Sequence, residues 1–450
     1  MLNLVSLRPT LAGRVFVLAT DSQGIFFEVL MNIFLIIILG ILIGDYLLGL
    51  TVDTLNARHL KTDLPEEFDG YYDQAKYKKS QEYLRENTRF GLITDSITTP
   101  AIIAFIVLGG FDSVDRFARG FDLGTIPTGL IFAGVLMLIF QIISIPFSVY
   151  STFVIEAGYG FNRTTPKTFI FDILKAWLLT AVLGGILFSA VIWFFERTGS
   201  LAWVYCWVGV TLFQVLLMFV APVVIMPMFN KFVPLEEDEL REAIEEYARA
   251  QDFKIRGVFS MDGSKRSTKS NAFFTGFGRF RRIVLFDTLI EKQTKDELVS
   301  VLAHEMGHYK KRHIQKSVLV SILTTGLMFY VLSVFINNRE LFAAFQMQEI
   351  SIYASLFFFG FLYAPIEMIL SVFGNILSRR YEYQADAYAA TTYKKPRAMI
   401  GALKKLSVDN LSNLTPHPLK VFLTYSHPPV LERIMAIRRL DLSEADGAVP

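Results

Sequence analysis

At 450 residues, with 52% of them hydrophobic, 14% aromatic and a formal charge of +2, the chain is too apolar for an ordinary soluble enzyme. No strip of basic residues interleaved with aromatics marks a nucleic-acid track, and nucleic acid is excluded as an expected partner. The single cysteine, Cys206, lies in an apolar run, which excludes both a disulfide framework and a thiolate metal cluster. A bound metal would have to be held by histidine and carboxylate.

The first residues, MLNLVSLRPTLAGRVFVLATDSQG, lack a compact apolar core ending at a small-residue cleavage site, so the first apolar run is expected to be retained. Windows of roughly 20 apolar residues, enough to cross a hydrocarbon core of about 30 Å, occur seven times. They fall near 27–50, 93–111, 128–153, 174–195, 203–225, 317–337 and 352–376. The second is the weakest, because Thr98, Thr99 and Pro100 interrupt it. Lys and Arg gather in the loop at 57–91, in the segments after the third and fifth windows, and in the tail from Arg379. The alternate connections hold only Arg116 and Arg119, then Arg197, then Arg339. By the positive-inside rule the N-terminus faces outward and both large polar regions face the cytoplasm.

Those polar regions, 230–316 and 377–450, are each too small for a comfortable separate enzyme. The expected fold is an all-α polytopic membrane protein of about seven spans. Its one catalytic domain is assembled from the two inserts, after an N-terminal membrane region at 1–229 and with two further spans at 317–376 between them. Within the first insert, EEDELREAIEEYARAQDF has helical spacing of apolar residues. The period then changes: FKIRGVFS, SNAFFTG and RRIVLFD are β-branched and aromatic, separated by turn residues, and predict a small β meander. Thr294 followed three residues later by Glu297 forms a capping box, predicting a helix that carries LVSVLAHEMGHYKKRH. The end of the chain, DLSEADGAVP, is expected to be disordered.

On that helix His304 and His308 are four apart and share a face, so both imidazoles can reach one ion at about 2.0–2.1 Å. Glu305 sits beside them. Two nitrogens, a water in an open position and a carboxylate near that water make up the HExxH arrangement of a zinc protease, in which zinc lowers the water pKa to roughly 7 and Glu305 takes its proton. Two histidines four apart by chance are the plainer alternative. A third ligand is sought in RRYEYQADAYAA: if this stretch is helical, Glu382 and Asp386 share a face, Glu382 able to ligate and Asp386 able to hold a ligand imidazole. Taken alone, the two acids read more readily as charges on a solvated helix beside Arg379 and Arg380; beside HEMGH the ligand reading is preferred.

HEMGH, EYQAD, TKSNAFFTG, YSHPPVLERI and the seven apolar windows, together with KYKKSQEYLRENTRF and IPFSVYSTFVIEAGYGFN, resemble the integral-membrane CAAX prenyl endopeptidases over nearly the full length. The resemblance implies one zinc ion on His304, His308 and Glu382, with Glu305 as catalytic base. It gives Asp386 a place behind the ligands, as orienter of an imidazole or as proton donor, and His427 of SHPP the stabilisation of an oxyanion. Apart from the resemblance, His427 is a turn histidine before two prolines. Asn271 and Ala272 match the edge strand that pairs with extended substrate, and also suit a turn before any strand. The implied substrate is a protein or peptide ending in a prenylated cysteine, and the implied membrane is the endoplasmic reticulum or a prokaryotic plasma membrane. His59, His313 and His417 have no partner at ligand spacing and read as structural. Glu28, Asp45 and Glu367 lie in or beside apolar windows, where charge facing lipid is costly, and are expected to line an interior aqueous space. The rivals are a general membrane-protein quality-control protease and a transporter or lipid-handling scaffold with a vestigial metal site.

Overall fold

A computed structural model describes residues 32–254, 257–275 and 282–446 of the chain. Five long apolar helices come first: α1 (Ile33–His59), α2 (Gln74–Val107), α3 (Thr125–Glu156), α4 (Pro166–Arg197) and α5 (Gly199–Phe229). Two polar-region helices follow, α6 (Asp238–Ala250) and α7 (Lys295–Lys310). Two more long apolar helices, α8 (His313–Phe335) and α9 (Ile352–Tyr393), precede α10 (Pro396–Asp409) and α11 (Val430–Asp446). Among the described residues, the seven expected windows fall on the seven helices long and apolar enough to cross a bilayer.

Two of these helices run far beyond their apolar windows. α2 starts at Gln74, where the Asp73 side chain caps it by accepting from the Lys76 N–H. Much of the expected loop at 57–91 is therefore helix. α9 contains no glycine or proline from Asn375 to Tyr393 and continues until Lys394 turns into the left-handed region at φ +55°. The same helix that spans the apolar layer thus carries Glu382 and Asp386 into the polar part. α11 likewise runs through Asp446, into the stretch expected to be disordered, because Leu, Ala and Glu there are good helix formers. Residues 447–450 lie outside the described residues, as do the N-terminal segment and Glu28.

Neighbouring spans touch in chain order, and α9 packs back on α1, closing the series. No more than 22% of the apolar window of any span is buried, so most of this surface is left for lipid or for an interior space. Asp45 lines a cavity of about 490 Å³ between α1, α3 and α9, together with Phe111, Phe140 and Phe361. Glu367 is exposed on α9. On the short helix Gly110–Arg119, Arg116 and Arg119 are each paired one turn back, with Asp112 at 2.9 Å and Asp115 at 2.7 Å.

The sheet has four strands, β1 (Phe232–Pro234), β2 (Gly257–Met261), β3 (Ala272–Thr275) and β4 (Arg282–Phe286), in the order β1-β2-β4-β3. It is a mixed sheet rather than a meander: β2 and β4 run parallel, because β4 inserts between β2 and β3. Ile283, Val284 and Leu285 of β4 are fully buried, and β3 is left at the edge. One apolar cluster joins this sheet to α6, α7, the polar end of α9, α10 and α11. Phe68, Tyr72 and Tyr77 are buried in it too, so the segment between α1 and α2, with the first turn of α2, joins the two inserts in building the polar unit.

Candidate active site

The predicted capping box starts α7: the Thr294 N–H donates to Glu297 Oε2 at 2.7 Å and the Glu297 N–H donates to Thr294 Oγ1 at 3.4 Å. From that start, helical spacing puts His304 and His308 on one face, where their Nε2 atoms stand 3.1 Å apart. α9 crosses α7 at Gly307, so closely that a Cβ there would lie 3.0 Å from Ala385 Cα. The crossing brings in Glu382, whose Oε2 is 3.4 Å from His304 Nε2 and whose Oε1 is 3.3 Å from His308 Nε2.

These separations test the fit of a metal. Ligands about 2.0–2.1 Å from a tetrahedral ion stand about 3.3–3.4 Å from one another. The donor atoms here stand 3.1–3.4 Å apart before any ion is considered. Glu382 Oε2 is buried without a hydrogen-bond partner, with Arg433 Nη1 3.4 Å away on one side and His304 Nε2 on the other, and an ion held between the imidazoles would give that oxygen a direct partner. Among the described residues, His304, His308 and Glu382 form the group able to hold a metal ion.

Charge is balanced behind these donors. His304 Nδ1–H donates to Asp386 Oδ1 at 2.8 Å, which leaves Nε2 as the free nitrogen. Asp386 is itself held by a fork from Arg433, with Nε donating to Oδ2 at 2.8 Å and Nη2 to Oδ1 at 2.7 Å. Burial disfavours protonation of His304, yet the hydrogen bonds to Asp386 and Glu382 outweigh it and raise its pKa to about 9. The same anions that hold a proton there would hold a metal. Beside them the half-buried Glu305 carboxyl is pushed above the usual carboxylate range by burial, against the pull of His304 and His308.

Six of the eight predicted residues come together: His304, Glu305, His308, Glu382, Asp386 and His427. His427 arrives from the turn before α11, with Nε2 3.3 Å from Glu382 Oε1 and a side chain still 64% exposed at the mouth of the cluster. Asn271 and Ala272 do not join them. They stand at the start of β3, which packs against α7 and, among the described residues, pairs on one side only, with β4. Sequence reasoning missed Arg433, because a single arginine on a surface-patterned helix gives no sign of its partner on α9. It also set aside His313, whose Nδ1 lies 3.1 Å from His308 Nδ1. The cause is the turn at Arg312, left-handed at φ +59°, which breaks the helix and folds His313 back on the metal helix. His59 and His417 pack ring edge to face, 5.3 Å apart, and His417 caps a short helix by accepting from the Leu419 N–H.

Residues 54–231 match the family model of the CAAX prenyl protease N-terminal region, with five membrane helices, and residues 234–441 match peptidase family M48. The chain is 35% identical over 411 residues to a CAAX prenyl protease 1 homolog of Arabidopsis thaliana, covering 89% of this chain and 96% of the relative. The chain belongs to the CAAX prenyl protease family. It is 34% identical to the CAAX prenyl protease 1 of Saccharomyces cerevisiae, over 84% of this chain and 89% of the relative. The crystal structure of S. mikatae Ste24p superposes with a TM-score of 0.85 at 32% identity, covering 90% of this chain and 99% of that one. As a member of this family within M48, the protein is a multi-pass membrane metalloendopeptidase.

Proposed function

We propose that this CAAX prenyl protease family member cuts a peptide bond next to a prenylated cysteine near the C-terminus of its substrate, using one zinc ion held by His304, His308 and Glu382. The observation that carries the proposal is the convergence of those three donors on one point, with Glu305 beside it and, packed against the same helix, a strand that stands at the sheet edge among the described residues. Bound zinc supplies Lewis-acid polarisation of the carbonyl and lowers the pKa of water.

The chain's own residues do the rest. Glu305 takes a proton from the attacking water and returns it to the leaving amine. Asp386, clamped by Arg433, keeps the His304 proton on Nδ1 and the ring in place. His427 accepts from or donates to Ser426 Oγ through Nδ1, 2.9 Å away, and directs Nε2 toward the place where the carbonyl oxygen gains charge. The outer edge of β3, from Asn271 and Ala272 onward, pairs with the extended substrate through main-chain hydrogen bonds, which grip with little sequence preference. A prenyl group partitions into the apolar bundle and adds local concentration. The Lys and Arg distribution favours a cytoplasmic site.

The test is cleavage of matched peptides with and without a farnesyl group on the cysteine. Faster cleavage of the farnesylated peptide is expected, at the bond following the cysteine. Equal rates would assign the protein to general membrane-protein quality control instead.

A further inference from the structure

His304 and His308 are backed by different chemistry. Behind His304 stands a carboxylate that an arginine neutralises. Behind His308 stands a second imidazole, His313, 2% exposed and 3.1 Å away from Nδ1 to Nδ1. The other nitrogen of His313, Nε2, is 2.9 Å from Gln384 Oε1, and its ring lies flat on Tyr381 with centroids 4.1 Å apart and planes within 9°. Tyr381 and Gln384 come from the same helix, α9, as the ligand Glu382 and the orienter Asp386.

The protons in this row can be counted. Gln384 Oε1 only accepts, so His313 Nε2 carries a hydrogen and the neutral ring keeps its lone pair on Nδ1. The short contact then requires His308 Nδ1 to donate. A neutral imidazole protonated on Nδ1 has its lone pair on Nε2, the atom that faces His304 and Glu382. Turning the Gln384 amide to present its NH2 group reverses every proton in the row and puts a hydrogen on His308 Nε2, where no metal can then bind. Only the first arrangement is compatible with a metal site.

We infer that His313 is a positioning residue: by accepting the Nδ1 proton of His308 it locks that ring in the one neutral tautomer and orientation that present Nε2 to the metal. The inference rests on the zinc site proposed above. Because His313 is also the first residue of α8, the start of a membrane span is built into the support of the metal.

The experiment is competition between full-length, detergent-solubilised protein and a zinc chelator, for wild type, His313→Phe, His313→Asn and Gln384→Leu. Phenylalanine keeps the stack on Tyr381 and removes the acceptor; asparagine gives up most of the stack and offers Oδ1 near the position of Nδ1. The relay predicts zinc affinity about 10- to 100-fold weaker for His313→Phe, the range for partners of metal-ligating histidines, with His313→Asn closer to wild type. A role in packing alone reverses that order, and this result overturns the inference. Gln384→Leu, which touches neither the stack nor a ligand, is expected to weaken zinc by a smaller factor, and it carries the test should His313→Phe not fold. One zinc per wild-type chain with unaltered affinity in both His313→Phe and Gln384→Leu overturns the inference alone; a wild type that binds no zinc overturns the site assignment beneath it.

Discussion

Gly307→Ala probes the crossing that assembles the site. Alanine in place of glycine inside a helix gains about 1 kcal/mol from propensity. Against that, its Cβ would stand 3.0 Å from Ala385 Cα, 3.1 Å from Tyr388 Cβ and 3.2 Å from Ala385 O. Two of those neighbours are backbone atoms, which cannot rotate away. Carbon atoms settle at about 3.5–4.0 Å, so α7 and α9 must separate by roughly 0.5–1 Å. Overpacking of that kind costs about 1–3 kcal/mol, enough to cancel the propensity gain and leave a net loss of about 0–2 kcal/mol. Function is the sharper readout, because the displacement lies between His308 and Glu382, now 3.3 Å apart. A misplacement of about 1 Å in reacting groups can cost about 100-fold in rate. Zinc affinity, turnover of a farnesylated peptide and thermal unfolding of the metal-free protein should be measured together. Gly91→Ala is the control, since a Cβ there meets nothing within 4 Å. A Gly307→Ala protein more stable than wild type, with zinc binding and turnover intact, would refute the close crossing as the device that brings Glu382 to the histidines.

Glu305→Gln removes a proton acceptor without removing a ligand: zinc content should stay at one per chain while peptide turnover falls by about 10²–10⁴, the usual yield of general base catalysis. Metal analysis of the purified protein, beside an activity assay, separates the two, and intact turnover would favour a vestigial site. Glu382→Ala should lose stoichiometric zinc after dialysis, and full retention would strike Glu382 from the ligand set. Arg433→Met removes the guanidinium fork from Asp386, whose side chain is 2% exposed, and leaves His304 as its remaining partner, so the loss should fall at or below the about 3–5 kcal/mol seen where a buried pair is broken outright. Chemical denaturation of the metal-free protein checks this, an unchanged midpoint being the contrary result.

The membrane architecture was readable because one variable controls it: about 20 apolar residues cross a hydrocarbon layer whatever their order. What the windows did not show was where helices stop. α2 and α9 extend into the polar unit because nothing in QAKYKKSQEYLRENTR or in the run from Arg379 to Tyr393 breaks a helix, while hydropathy registers only the end of the apolar layer. The sheet shows a related limit. FKIRGVFS, SNAFFTG and RRIVLFD announced strands through local composition, but β2 pairs with β4, across β3 in sequence, because pairing depends on which edges meet. The burial of Phe68, Tyr72 and Tyr77 in the polar unit was hidden for the same reason.

Within the site, what could be read divides by range along the chain. His304, Glu305 and His308 are fixed by helical period, and Glu382 with Asp386 by the same period on a second helix. Each group is a local pattern; the need of HEMGH for a third ligand linked the two, and the resemblance strengthened that link. Arg433 and His313 belong to no periodic pattern. His313 stands five residues beyond His308, a spacing that on a continuous helix would rotate it away from its neighbour, and the left-handed residue at Arg312 changes that geometry completely. Arg433 reaches Asp386 across 47 positions, from a helix whose apolar spacing gave no reason to single it out. The residues proposed as ligands, with Glu305 and Asp386, are thus the legible part of such a centre, because the period of a single helix groups each set. Arg433 and His313 answer only to whichever partner the fold brings near, and for His313 a turn of one residue decides it.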